Sequence, residues 1–187
     1  MFVYKIQRGI SRLIFIMRFI YWKILYRKRI VFPYYYMSCI DSGANIRNIN
    51  GKLIFKGRFV SRRNLSINVN NGTLVLGKDV FFNQGVSINC QGRISIGDYT
   101  ILGEDVKMYD HNHRFELGTL TKDLDFSIKD INIGDNVWLG SNVIVLSGVT
   151  IGDNSVISAG SVVRKDIPSN MIFKDGEYIK IVKKRNF

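Results

Sequence analysis

The chain is short of several things that most enzymes carry. It has two cysteines, Cys39 and Cys90, in no metal-like spacing, so neither a disulfide framework nor a zinc knuckle is indicated. They read as free thiols of a reducing compartment. There are only two histidines in 187 residues, His111 and His113, both inside MYDHNHRFE. No P-loop, G-x-G-x-x-G or G-x-S-x-G occurs, which leaves nucleotide hydrolysis, dinucleotide redox chemistry and serine esterase chemistry without support. Long apolar runs are missing too, because Arg12, Arg18 and Lys23 interrupt each one well short of the ~20 residues a membrane span needs.

Acidic residues are absent from residues 1–32, MFVYKIQRGISRLIFIMRFIYWKILYRKRIVF, which carry eight Lys or Arg out of a net charge of +12. Basic residues run through the apolar part and no small-residue cleavage site follows, so a cleavable signal is not expected. At ~100° per residue, Lys5, Arg8, Arg12, Lys23 and Arg27 share one arc of a helix, while Arg18, Lys28 and Arg29 fall off it. A basic amphipathic helix of this kind suits an anionic membrane face. It equally suits packing on its own domain or on a neighbouring subunit. Residues 33–50 read as the connection out of it. Nucleic acid is not an expected partner, since the charge sits at one end and no helix-turn-helix, zinc-finger or RNP-like pattern is present.

What is abundant is a six-residue rhythm. From Ile133 the chain reads IGDNVW, LGSNVI, VLSGVT, IGDNSV, ISAGSV, VRKDIP, each opening on an aliphatic residue. With roughly a third of residues aliphatic, six such hits in a row arise by chance about once in several hundred. Glycine fills the second place at 134, 140 and 152, and the fifth is always Val, Ser or Ile. Upstream, LGKDVF, FNQGVS and INCQGR start at Leu76, Phe82 and Ile88; after a two-residue slip come IGDYTI and LGEDVK, then Met108. Residues 52–75 read as a degraded first coil. A period of six fits short strands joined by tight turns, each sending one aliphatic side chain inward, with small second and fifth residues easing the turns. Such coils are stable only as a stack.

The hexads IGDNVWLGSNVIVLSGVTIGDNSVISAGSVVRKDIP, with DHNH and an excursion before them, resemble the hexapeptide-repeat acyltransferases over about residues 50–170. The likeness is strongest to the branch of galactoside, maltose and surface-polysaccharide O-acetyltransferases. It implies an all-β solenoid, a left-handed parallel β-helix, since handedness cannot be had from ordinary right-handed crossovers. The expected organisation is therefore a basic helix and connection at 1–50, a β-helix domain at 51–170 with an extruded loop at about 111–130, and a tail at 171–187.

The rhythm stops at Met108 and resumes at Ile133, leaving 24 residues of mostly polar sequence that begin beside both histidines. Loops on rigid scaffolds favour function. Acetyl transfer from a thioester to a hydroxyl needs a base and an oxyanion donor, and imidazole suits the first. The resemblance implies that His111 is the base, with His113 at most lining the acceptor pocket; Asp110, also a candidate for the acceptor pocket, or equally a backbone carbonyl, is placed to orient the ring. It implies that Trp138 stands beside the histidine and the thioester arm, and that Asn83 reaches the acceptor or the oxyanion. Acetyl-CoA is the implied co-substrate, along a groove between adjacent solenoids of a homotrimer, touching Trp138, Ser141, Ala159, Gly160, Arg164 and Lys165. The tail SNMIFKDGEYIKIVKKRNF departs from the family pattern, with Asp175-Gly176 as its turn and Lys180 as the nearest basic match.

No metal is expected. The γ-class carbonic anhydrases share this kind of β-helix, but their zinc takes three histidines from two subunits, and a trimer of this chain offers two per interface. The implied function is transfer of acetyl to a hydroxyl of a sugar or surface-polysaccharide intermediate, in the cytoplasm or peripherally on the inner face of the cell membrane. The competing readings are an N-acetyltransferase acting on an amino-sugar nucleotide and a non-catalytic solenoid scaffold at the membrane.

Overall fold

A computed structural model describes residues 2–120 and 125–181, with the side chains of residues 2–12 outside that description. Three features expected from the sequence thus lie partly outside the described residues: the basic arc of Lys5, Arg8 and Arg12, the middle of the extruded loop, and the end of the tail.

Short parallel strands stack into three sheets that form the faces of a prism, and the chain visits them in strict rotation. The first face holds Ile30–Val31, Lys52–Phe55, Thr73–Leu76, Arg93–Ile96, Ile131–Ile133 and Thr150–Ile151. The second holds Cys39–Ile40, Phe59–Ser61, Val80–Phe82, Ile101–Leu102, Trp138–Leu139 and Val156–Ile157, and ends in an antiparallel hairpin, Met171–Lys174 with Glu177–Lys180. The third holds Asn45–Ile49, Ser66–Asn70, Ser87–Cys90, Lys107–Tyr109, Ile144–Val145 and Val162–Val163.

The hexad explains itself at the corner between the first and second faces. The first residue, Ile96, Ile133 or Ile151, points inward and is buried on its equivalents above and below. The second is glycine because a Cβ on Gly97 or Gly134 would collide with the aspartate of the next coil. That aspartate is the third residue: the carboxylates of Asp135 and Asp153 accept the backbone N–H of Asp98 and Asp135 at 2.7 and 2.8 Å, clipping coil to coil. The fourth turns the corner with positive φ, 53° at Asn136 and 57° at Asn154, a conformation Asn tolerates better than most residues.

The fifth position differs from the expectation that it only eases the turn. Val137, Val143, Val149 and Ile167 are buried, so it supplies a second inward residue per hexad. Thr100 and Ser155 occupy it with their hydroxyls satisfied, donating to the carbonyls of Gly134 at 2.9 Å and Pro168 at 3.0 Å.

The solenoid starts at Ile30 rather than at residue 51. The end of the basic segment and the stretch 33–50 expected as a connection pair in parallel with the coil above: Ile30 with Leu53, Cys39 with Val60, Ile46 with Ile67. The hexad is unreadable there because this end is filled by aromatics instead of small aliphatics. Phe32 stacks on Phe55 at 3.9 Å, Phe55 meets Phe59 at 5.3 Å, and Phe59 meets Phe82 edge-on at 4.9 Å. Helix α1 (Phe2–Tyr26) closes this end by adding Phe15 and Phe19 to the same cluster, 6.1 and 5.6 Å from Phe32. At the other end, Asp175 and Gly176, with φ of 54° and 86°, make the tight turn of the terminal hairpin. No helix among the described residues is long and apolar enough to cross a membrane.

Candidate active site

Between its coils the described chain leaves the prism once, at the corner between the third and first faces. After Lys107–Tyr109 the next residue, Asp110, is fully buried and its carboxylate occupies the corner. It accepts the backbone N–H of Gln91 and of Gly92, one coil earlier, at 2.9 and 2.8 Å. Its own carbonyl accepts the N–H of Lys129 at 2.9 Å, where the chain comes back. Between these points His111–His113 runs antiparallel to Phe126–Ile128, with His111 opposite Ile128 and His113 opposite Phe126.

The carboxylate of Asp110 also meets Nδ1 of His111 at 2.9 Å. Carboxylate oxygens are acceptors, so in the neutral ring the hydrogen sits on Nδ1 and the lone pair is left on Nε2. His111 is about one-seventh exposed, at 15%, in contrast to the fully buried aspartate. Its ring stands edge-to-face on Phe126, with centroids 5.1 Å apart, and His113 leans on the same ring at 4.5 Å. Asn112, between them, donates to Ser147 Oγ at 3.1 Å and ties the hairpin to the coil above. The hairpin thus presents one oriented imidazole and one exposed imidazole without a carboxylate partner among the described residues.

Phe126, Gln91 and Gly92 hold this arrangement and were not legible in the sequence. Antiparallel pairing across a loop has no hexad signature, and backbone N–H donors leave no residue-type signal. Cys90 adjoins the pair from inside; burial pushes its thiol up, and the neighbouring Asp110 charge and hydrogen bond push it further, so it stays a neutral core residue.

The other expected site residues are not gathered around His111 within one chain. Asn83, Ser141, Ala159 and Gly160 lie along a different edge, the corner between the second and third faces. Trp138, 54% exposed, sits on the second face leading to that edge, paired with Ile101 and Val156. Asn83 is tied locally, its Oδ1 accepting Gln84 N–H at 2.9 Å and its Nδ2 donating to Glu104 at 3.5 Å. That edge is low: a Cβ on Gly103 or Gly140 would strike the backbone of Ser141 or Ala159 in the next coil, and nothing surrounds Gly160. Arg164 and Lys165 are on the His111 edge, past the coil of Ser147, and exposed. Lys180 is exposed on the outermost strand of the terminal hairpin, opposite Met171. Among the described residues no group of three or more His, Cys, Asp or Glu side chains is placed to hold a metal ion.

A prism of six-residue coils that ejects one His-bearing hairpin defines the class of hexapeptide-repeat transferases. Residues 130–165 match the family described as bacterial transferase hexapeptide (six repeats). Over 163 residues, 81% of this chain and 82% of the relative, the sequence is 32% identical to WbbJ of Escherichia coli (strain K12), named provisionally as a lipopolysaccharide biosynthesis O-acetyl transferase. The chain belongs to the hexapeptide-repeat acetyltransferase family. It is 39% identical over 97 residues to the galactoside O-acetyltransferase of the same organism, 52% of this chain and 47% of that one. The chain spans about half the length of several curated relatives it matches. Among solved structures, a galactoside acetyltransferase in complex with coenzyme A superposes with a TM-score of 0.57 at 32% identity, over 68% of this chain and 66% of that one.

Proposed function

We propose that this protein moves an acetyl group from acetyl-CoA to a hydroxyl of a sugar or surface-polysaccharide intermediate, with His111 as general base in a direct transfer. The observation that carries the reading is the Asp110–His111 pair: a buried carboxylate fixes Nδ1 and leaves Nε2 of a partly exposed ring free. In the transfer, Nε2 takes the hydroxyl proton as the oxygen attacks the thioester carbonyl. The tetrahedral oxyanion collapses, the C–S bond breaks, and the departing CoA thiolate recovers that proton from the imidazolium. Names of relatives support the acceptor class, and the coenzyme A complex of a structural neighbour supports the donor.

The reading includes a homotrimer. One chain holds His111 on one edge and Asn83, Ser141, Ala159 and Gly160 on another, so a complete site needs the edges of two chains. The low edge with its small residues suits an extended pantetheine arm, with Trp138 alongside it. Arg164, Lys165 and Lys180 are the cations offered to the CoA phosphates, and Asn83 and His113 border the acceptor; Asp110, expected beside it, is fully buried and acts only through His111. A cytoplasmic location with peripheral membrane contact through residues 1–32 belongs to the same reading.

The test is acetyl-CoA consumption with a panel of sugars, amino sugars and glycan fragments, comparing wild type, His111→Ala and His113→Ala. Transfer to hydroxyls that vanishes with His111 alone supports the proposal. Full activity in His111→Ala sinks the base assignment, and acetylation confined to amines sinks the hydroxyl acceptor.

A further inference from the structure

Helix α1 is apolar on two opposite sides. Phe15, Phe19 and Trp22 face the solenoid and are buried. On the side turned away, Leu13, Ile14, Met17, Ile20, Tyr21, Ile24 and Leu25 are all exposed, from 40% at Ile14 to 72% at Ile24. At ~100° per residue these seven fall within about 140° of arc, a continuous stripe and not scattered surface residues. The fold does not need it, since the core is already closed by the inner side. Arg27, Lys28 and Arg29 follow immediately and are exposed, and residues 1–32 contain no acidic side chain.

Beside the stripe, a groove of about 350 Å³ between α1 and the strand Asn45–Ile49 is lined by Arg18, Tyr21, Trp22, Leu25, Tyr26 and Ile46, among others. Arg18 Nη1 is buried there without a hydrogen-bond partner among the described residues. A buried guanidinium N–H left unpaired is costly, and next to an apolar stripe the group that would satisfy it is the anion of an amphiphile.

We propose that the outer stripe of α1 docks on an anionic lipid bilayer, with the Arg18 groove taking a headgroup phosphate. This deepens the peripheral membrane contact proposed above by naming the face, the lipid chemistry and the stance. The stripe points away from the capped end of the solenoid, so the prism stands on the membrane. Three coil steps separate Asn45–Ile49 from the His111-bearing coil that starts with Lys107–Tyr109. At ~4.8 Å per strand spacing that is roughly 14 Å, and the thickness of α1 adds ~10 Å, so the site lies about 25 Å above the membrane, within reach of a glycan chain anchored there. Only this last step rests on the acetyl-transfer reading.

The experiment is flotation of the full chain with phosphatidylcholine vesicles, with and without phosphatidylglycerol. Wild type should float with the anionic vesicles and be largely released by high salt. The double variant Met17→Asp/Ile24→Asp should lose at least about tenfold in partitioning, with unchanged circular dichroism and unfolding temperature, because neither side chain is in the core. Arg18→Gln should weaken binding to anionic vesicles and leave the weak binding to neutral ones unchanged. Wild type that stays unbound, or a double variant that floats as well as wild type, overturns the proposal. A drop in oligomer mass by light scattering in the double variant, without vesicle binding by wild type, assigns the stripe to a contact between copies instead. Acetylation of a soluble sugar should be the same in all these variants, so failure of docking and failure of the transfer reading are told apart.

Discussion

Asp110 holds His111 through a 2.9 Å contact at Nδ1 while the same buried carboxylate accepts two backbone N–H groups from the preceding coil. Ring orientation is therefore coupled to the solenoid itself and not to the mobile end of a side chain. His111→Ala should lower kcat/KM by about 10²- to 10⁴-fold, the usual worth of a positioned base. His113→Ala, exposed and without a carboxylate partner among the described residues, should keep most of the rate.

Asp110→Asn separates orientation from architecture. The amide oxygen can still accept from Gln91 and Gly92, but its NH₂ then faces Nδ1 and drives the ring hydrogen to Nε2. We expect kcat to fall by roughly 10²-fold or more with KM little changed and the fold retained. Asp110→Ala should in addition cost about 1–3 kcal/mol of stability, because both N–H donors lose their acceptor. Steady-state kinetics and thermal unfolding of the two variants check this; equal loss of stability in both would remove the tautomer argument.

The placement of His111 and Asn83 on different edges makes a complementation test decisive. His111→Ala and Asn83→Ala proteins should each be impaired. Co-refolded in equal amounts, they should recover activity at about a quarter of the sites, where an intact edge of one chain meets an intact edge of the other. Mixing without recovery would contradict a site shared between chains.

Gly140→Ala should destabilise the stack by about 1–3 kcal/mol. A Cβ there would approach the backbone N of Ala159 to 2.6 Å, and backbone cannot rotate away as a side chain does. Gly160→Ala meets no neighbour but has φ of 76°, so its penalty comes from conformation alone. Unfolding midpoints of both variants against wild type measure the difference.

The Cys90 thiol should be unreactive in the native protein. At mildly alkaline pH a thiol reagent should reach Cys90 only on unfolding, since burial and Asp110 raise its thiol. Above the ordinary thiol value of about 8.5 the unfolded Cys90 ionises while the folded one keeps its proton, so stability should fall as pH rises further. Rapid labelling of Cys90 in the native state would contradict the buried placement.

The sequence by itself determined the coil. Ile, Gly, Asp and Asn at successive places carry the inward contact, the close approach of coils, the N–H acceptor and the positive-φ corner, and each is a property of a residue type that a single hexad displays. It also determined that the rhythm breaks beside His111. Residues 30–49 escaped because Phe32, Phe55 and Phe59 fill that end of the core by ring packing, which has no six-residue period. Only the tertiary structure decided that Asp110 reaches back to Gln91 and Gly92, that Phe126 backs both imidazoles, and that Asn83 and His111 stand on separate edges. The same holds for α1, where one helical period concealed two apolar sides, one closing the core and one left outward. Which of two faces is buried depends on what is packed against it, and that is a property of the assembled stack rather than of the order of residues.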